Sequence, residues 1–393
     1  MTKTKTVLIL GGDGYLGWSL SLAFAARTDD QIVIVDNLVK REWEGFVGAQ
    51  TLVKLESIDK RLKEYRRIFK KNNLSFVKVD LKNYNAVLEL IARYRPATII
   101  NAAQQPSAPF SMLNAHCANA TLENNTKTNL NVLWAIATID KNIKYIKLGS
   151  AGTYLGVDCD FIPKTKVDLE FTTTGGRKKI LNSWLPMQAG DFYHQSKAFS
   201  FLLSDLCCRL WGLKVITVQQ SIIFGATISE NRDASHHSLA TRFNYDHIFG
   251  TVMNRFVCQA AINQALTVYG DGQQRTVFIS LRDTVDNFLR LANLDIVPGE
   301  HFVEHNYTHS FSIFEVANIL LKIKPGQIKA IKNPRTEIKP QLRKEFAPSE
   351  LLSANLKSEN HFIESLSELL SFAMLYRDNI NKDIIMPKVS WQK

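Results

Sequence analysis

Long apolar runs are missing from this 393-residue chain: nothing approaches the roughly 20 consecutive residues needed to span a bilayer. The first apolar run, Val7-Leu8-Ile9-Leu10, is too short for a signal peptide and meets glycines where a cleavage site would lie. Cysteine is scarce. Cys117, Cys159, Cys207, Cys208 and Cys258 are odd in number and contain no C-x-x-C. That argues against a disulfide framework or a structural zinc site, and for reduced, buried thiols. No repeat or low-complexity tract is visible. These absences predict a cytoplasmic protein with no membrane segment and no bound metal.

Acidic residues are also in deficit, leaving a net charge of +11. The basic cluster Lys60-Arg61-Leu62-Lys63-Glu64-Tyr65-Arg66-Arg67, with Lys70 and Lys71, has helical period and reads as a solvated face. An anionic small molecule suits this charge better than nucleic acid, which is not expected as a partner.

What is present is alternation. Strand-length apolar runs at 7–10, 32–35, 76–79, 98–100, 145–148 and 215–218 are separated by helix-period stretches at 15–27, 50–69, 84–94, 114–139 and 189–211. Continuous apolar strands between helices predict an α/β fold, a doubly wound parallel sheet of Rossmann type. Past residue 220 the rhythm breaks into a turn-rich segment, a helix at 251–264, a strand at 266–269 and a mixed remainder. We expect a dinucleotide domain at 1–220 with an insert near 155–190. A smaller mixed α/β C-terminal lobe follows at 221–393, with segments crossing back.

The first strand runs into Gly11-Gly12-Asp13-Gly14-Tyr15-Leu16-Gly17, which contains G-x-G-x-x-G in the required strand-to-helix setting. Such glycines allow a tight turn, close approach to a pyrophosphate and tight packing of the helix that follows. Asp36 ends the second strand, where a carboxylate can accept from a ribose diol and would repel a 2′-phosphate, so NAD is favoured over NADP. Lys40 and Arg41 follow it. Asp80 ends the third strand, placed to meet an adenine edge or to cap a helix.

Tyr193-His194-Gln195-Ser196-Lys197 is Y-x-x-x-K on a helix-period stretch, so Tyr193 and Lys197 share a face. A nearby cation would favour the phenolate and make Tyr193 a base. Ser150 ends the fifth strand, where its hydroxyl could share the same substrate oxygen. Loop, serine and Y-x-x-x-K together point to hydride transfer at a carbinol carbon. A non-catalytic nucleotide-binding regulator is the reading from another class.

The chain resembles the extended short-chain dehydrogenase/reductases that act on nucleotide sugars, and among them the UDP-sulfoquinovose synthase family. The resemblance rests on the glycine loop with Trp18, Val35-Asp36-Asn37-Leu38-Val39-Lys40-Arg41, Ser107-Ala108-Pro109-Phe110-Ser111-Met112 and Phe192-Tyr193-His194-Gln195-Ser196-Lys197. It extends through Tyr245-Asp246, Asn254-Arg255-Phe256, Asn333-Pro334-Arg335 and Ile385-Met386-Pro387-Lys388-Val389-Ser390-Trp391. It implies NAD-dependent oxidation of UDP-glucose at C4, loss of water across C5–C6, addition of a sulfur nucleophile at C6, and return of the hydride.

The resemblance assigns Ser150, Tyr193 and Lys197 to catalysis. The cofactor would be met by Gly11, Gly12, Asp13, Gly14, Tyr15, Leu16, Gly17, Asp36, Asn37, Lys40, Arg41, Asp80, Leu81, Asn125, Tyr193, Lys197 and Gln220. The sugar nucleotide would be met by Gln105, Ser107, Ser150, Thr153, Tyr193, His194, Gln220, Asn254, Arg255, Tyr269 and Arg335. His194 is a second proton carrier near C6 or a packing residue. Partners implied are a UDP-hexose, a sulfur donor, and a second copy of the chain through helices near 114–139 and 189–211.

Three positions depart from the family pattern. Thr153 stands where the family has a glutamate, and Gln104 and Pro106 stand for an acidic residue and an arginine. Loss of that carboxyl and that cation predicts C4 oxidation with poor use of sulfite; a 4-epimerase or dehydratase that adds no sulfur is the alternative. Arg275 stands one place before the expected arginine, and in an extended segment that turns it to the opposite face.

Overall fold

The computed structural model describes residues 4–154, 164–334, 357–389 and 391. Its strands are β1 (Thr6–Leu10), β2 (Gln31–Asp36), β3 (Leu74–Lys78), β4 (Thr98–Asn101), β5 (Lys144–Leu148), β6 (Val167–Thr172) and β7 (Lys178–Ser183). They continue with β8 (Lys214–Gln220), β9 (Ile222–Phe224), β10 (Leu266–Tyr269), β11 (Arg275–Ser280), β12 (His301–Asn306), β13 (His309–Ser312) and β14 (Ile328–Ile331). Seven of them form one parallel sheet in the order β12-β8-β5-β4-β1-β2-β3. The order reverses between β1 and β4, which opens a crevice at their carboxyl ends, where ligands of open α/β sheets sit.

Burial on both faces explains the all-apolar strands. Val7 and Ile9 point into one core with Ile32, Ile34, Ile146 and Ile216, while Leu8, Leu10, Val33 and Val35 point into the other. The helix Tyr15–Arg27 is buried on nearly every side. It lies between the sheet and the helix Leu281–Asn293, which joins the same core through Val285, Phe288 and Leu291.

The C-terminal portion contributes the seventh strand. β12 lies parallel to β8, from His301 opposite Val215 to Asn306 opposite Gln220. Its mixed composition, with His301, Glu304 and His305, hides it from an apolar-run reading. A second core gathers Phe224, Phe256, Leu266, Phe278, Leu320 and Phe362 under the remaining small sheets. The insert carries the antiparallel hairpin β6–β7.

Of the expected helix at 50–69 only Ile58–Phe69 is helical, and a separate helix, Val39–Val47, precedes it. The basic cluster is not simply solvated. Arg61 is fully buried with its guanidinium 3.6 Å over the Trp18 ring, and Lys71 donates to the carbonyls of Ala26 and Thr28. No helix among the described residues is long and apolar enough to cross a membrane. Cys117, Cys207, Cys208 and Cys258 are free and buried; Cys159 lies outside the described residues.

Candidate active site

A cavity of about 340 Å³ lies against the carboxyl ends of β1, β2, β4 and β5, lined by Gly11, Gly14, Asp36, Asp80, Gln104 and Lys197 among others. Gly11 has φ +79°, and a Cβ there would stand 2.5 Å from the Ala103 nitrogen. At Gly17 a Cβ would stand 2.0 Å from the Gly11 oxygen. The loop and its helix close to a distance only glycine permits.

The Asp36 carboxylate accepts from the backbone nitrogens of Asp13 (2.9 Å) and Leu38 (2.7 Å). Each oxygen keeps a lone pair for a further donor. Burial pushes its carboxyl above the usual range, against those two bonds. Asn37, Leu81, Tyr15 and Leu16 also line the cavity, and the Tyr15 hydroxyl donates to the Gly225 carbonyl.

Several residues expected at the cofactor are engaged elsewhere. Asp13 is buried, and its carboxylate is gripped by Arg41 (2.8 Å), Arg61 (3.1 Å) and Arg242 (2.5 Å). Burial alone would raise this carboxyl; Arg41, then Arg242 and Arg61, outweigh it and hold the group low. Arg41 therefore points to Asp13 and the Glu56 carbonyl rather than into the cavity. Arg61 and Arg242 are the residues that sequence reasoning missed; they lie 48 and 229 positions from Asp13, and no local pattern marks them.

Lys40 does line the cavity, its Nζ 2.7 Å above the centre of the Phe249 ring and without a hydrogen bond. Burial lowers it to about 7. Asn125 sits on a π-helical turn, Glu123–Lys127, that interrupts the helix path from Ala115 to Ile139. The turn aims the Asn125 amide at the nitrogen and oxygen of Gln105 and at Ser196 Oγ. It holds the loop beside the cavity and does not line it.

The helix Phe192–Trp211 carries both Tyr193 and Lys197. Lys197 Nζ reaches 2.9 Å to Gln104 Oε1 and 3.2 Å to the Leu148 carbonyl, which ties the helix to the end of β5. Its nitrogen lies 5.5 Å from the Tyr193 ring centre. Burial lowers Lys197 to about 7 and raises Tyr193. The expected lowering of the phenol by the lysine is thus absent in the protein alone, because both groups are taken from water. Ser150 follows β5: its nitrogen donates to Gln219 Oε1, and its Oγ accepts from the Gly152 nitrogen at 3.1 Å.

Thr153 is buried and donates to the Ser150 carbonyl at 2.9 Å, so its hydroxyl braces the turn. His194 packs edge-on to Tyr193, ring centres 4.8 Å apart. Its Nδ1 lies 2.6 Å from Asp191 Oδ2, and its Nε2 faces Gly152 so closely that a Cβ there would stand 2.2 Å away. Asp191 also caps the helix by accepting from the His194 nitrogen. Sequence reasoning passed over Asp191, although an aspartate three places before the histidine at a helix start is a readable signal.

Of the expected sugar-nucleotide residues, Asn254 lines the cavity and keeps a buried Oδ1 without a hydrogen bond. Arg255 donates to the Tyr269 hydroxyl at 2.8 Å and to the Thr267 carbonyl. Gln220 accepts from Asn306, and Gln105 is bonded twice to Ser107. Ser107 Oγ donates to the Ile248 carbonyl. Arg275 donates to Glu315 and to the Ser310 carbonyl and does not line the cavity. Arg335 lies outside the described residues. No group of three potential metal ligands occurs among the described residues.

The glycine cradle, the acid at the end of β2 and the lysine–tyrosine helix share one crevice, and the family model "NAD dependent epimerase/dehydratase family" matches residues 7–303. UDP-sulfoquinovose synthase of Spinacia oleracea, a chloroplastic protein, is 31% identical over 99% of this chain and 80% of its own length. The chain belongs to the UDP-sulfoquinovose synthase family. That family sits within the NAD-dependent epimerases and dehydratases, and the protein is an enzyme of this type. The synthase of Sulfolobus acidocaldarius is 30% identical over 98% of both chains. The fold is shared with UDP-glucuronic acid 4-epimerase of Bacillus cereus, solved with UDP-glucuronic acid and NAD. Its TM-score is 0.63, with 14% identity over 93% of this chain and 99% of that one.

Proposed function

We propose that this UDP-sulfoquinovose synthase relative oxidises a UDP-hexose, UDP-glucose first among them, at C4 to a 4-keto sugar. The observation that carries the reading is the convergence of Lys197, the end of β5 and the glycine loop on one cavity. The residues fit NAD: a Cβ would fill the cradle at Gly11, and Asp36 keeps lone pairs for a ribose diol while its charge would repel a 2′-phosphate. Arg41 is bound to Asp13. When bound, oxidised NAD supplies the hydride acceptor and a positive ring.

Tyr193 takes the proton of the C4 hydroxyl, Ser150 orients that oxygen, and protonated Lys197 stabilises the phenolate. Lys40 and Asn254, polar groups that burial leaves without full bonding, line the same cavity and suit phosphate oxygens. We assign residues 1–220 mainly to the dinucleotide and 221–393 mainly to the sugar nucleotide. We also place the protein in the cytoplasm, on its free buried thiols. Phe199, Leu202, Leu206 and Leu210 form an exposed apolar stripe on the tyrosine helix, with Trp134 exposed on its neighbour. A second copy of the chain is our choice of partner for that face.

The test is incubation of the protein with NAD and UDP-glucose, read as cofactor absorbance and by mass spectrometry of the sugar nucleotide. Tyr193→Phe should lower the rate by about 10²–10⁴ while cofactor still binds. A variant retaining more than about a tenth of the rate rejects Tyr193 as the base.

A further inference from the structure

Two parts of the chain wall the cavity: the glycine loop with the strand ends on one side, and the segment carrying Asn244 and Asn254 on the other. One unbroken line of hydrogen bonds joins them. Asn254 Nδ2 donates to the Asn244 carbonyl at 2.8 Å, and Asn244 Nδ2 donates to Glu44 Oε1 at 3.0 Å. Glu44 Oε2 accepts from Arg242 Nη1. Arg242 Nη2 and Nε then reach the Asp13 carboxylate (2.5 Å) and carbonyl (3.1 Å), and the Asp13 nitrogen donates to Asp36 Oδ2. We propose that Glu44 and Arg242 are positioning residues that couple the two sides, so that the dinucleotide and the sugar nucleotide each bind more tightly in the presence of the other. This rests on the reading of one cavity for both ligands given above.

Local packing makes the line stiff. Arg242 and Asn244 reach the same carboxylate, while Phe243 between them enters the second core. The Leu52 nitrogen donates to the Phe243 carbonyl at 2.9 Å and pins that segment. Glu44 projects from the helix Val39–Val47 and gives one carboxylate oxygen to each neighbour. The side chains of Arg242 and Asp13 are 1% exposed and that of Glu44 12%, so water does not stand in for a broken link.

Both ends of the line offer acceptors. Asp36 has lone pairs for a ribose diol, and Asn254, on the cavity wall, keeps a buried Oδ1 without a hydrogen bond. A ligand docked at one end fixes that residue and, through the line, the segment at the other end. The second ligand then meets a site already ordered, which is positive coupling of equal size in both directions. Direct contact between the diphosphates has the opposite sign, because like charges repel.

The experiment uses the full chain dialysed free of nucleotide, with ADP-ribose, which lacks the nicotinamide, and UDP, which lacks the hexose. The reacting ends of the two ligands are thus absent. Calorimetric titration of each ligand, alone and with the other saturating, gives the coupling factor twice. In wild type each should tighten the other about tenfold. Glu44→Gln leaves one acceptor oxygen where two are used, and Asn244→Ala removes the donor to Glu44, so in both the factor should fall to about one or below. A factor of about one or less in wild type, or an unchanged factor in either variant, overturns the coupling. Coupling in a chain that never reduces cofactor with UDP-glucose would reject C4 oxidation and leave the coupling standing. Failure of wild type to bind ADP-ribose or UDP at all rejects the shared cavity, and the coupling with it.

Discussion

Lys197 Nζ donates to Gln104 Oε1 across 2.9 Å, so a neutral amide, not a carboxylate, faces the lysine of the Y-x-x-x-K pair. A neutral partner does little to oppose desolvation, and the buried lysine falls to about 7.

A pH dependence follows from that depressed lysine. The unfolded lysine keeps its proton to about 10.5, while the folded one releases it near 7. Between those values the unfolded state binds more protons, so the cofactor-free protein gains stability as pH rises and loses it as pH falls toward 7. Gln104→Glu should hold the proton on Lys197 and flatten the rise between about pH 7 and 8.5 by roughly 1–2 kcal/mol. Denaturant unfolding at both pH values checks this; an unchanged slope refutes the link.

Asp36→Ala should weaken NAD binding about tenfold or more and narrow the preference over NADP, since two hydrogen bonds to a ribose and one repulsive charge are removed together. Calorimetric titration with both dinucleotides measures it. Tighter binding of NADP than NAD by wild type contradicts the assignment.

Gly17→Ala places a methyl 2.0 Å from the Gly11 oxygen, a backbone atom that cannot swing aside. We expect about 1–3 kcal/mol of destabilisation and loss of cofactor binding. Urea unfolding and cofactor titration of the variant check both, and a fully stable, cofactor-binding Gly17→Ala would mean that the helix has room to withdraw.

Leu206→Glu sets a charge in the middle of the exposed stripe on the tyrosine helix. Sedimentation equilibrium should show wild type as a dimer and the variant shifted to monomer by at least tenfold in Kd. A wild type that sediments as a monomer at micromolar concentration rejects that partner for the face.

With UDP-glucose and sulfite, slow or absent formation of UDP-sulfoquinovose is expected, because Pro106 offers no charge to the anion where the family pattern has an arginine. Mass spectrometry of the sugar nucleotide decides between this and efficient sulfonate formation.

The sequence by itself determined whatever depends on near neighbours. Val7 to Leu10, the glycine turn and the tyrosine–lysine spacing are local signals, because strand burial, loop curvature and helix periodicity act over a few residues. The strand at Leu266–Tyr269 and the helices Tyr15–Arg27 and Tyr84–Tyr94 stand where their patterns place them. Only the tertiary structure decided where charges go. Asp13 and Arg41 look like ligand contacts until Arg61 and Arg242 are brought to the same buried carboxylate, whose need for compensation no sequence window records. β12 joins the sheet through backbone pairing with β8, which does not depend on an apolar pattern. Burial likewise sets Lys197 and Tyr193 against the protonation that the proposed chemistry needs, because desolvation depends on everything packed around a group, and that is a property of the folded chain alone.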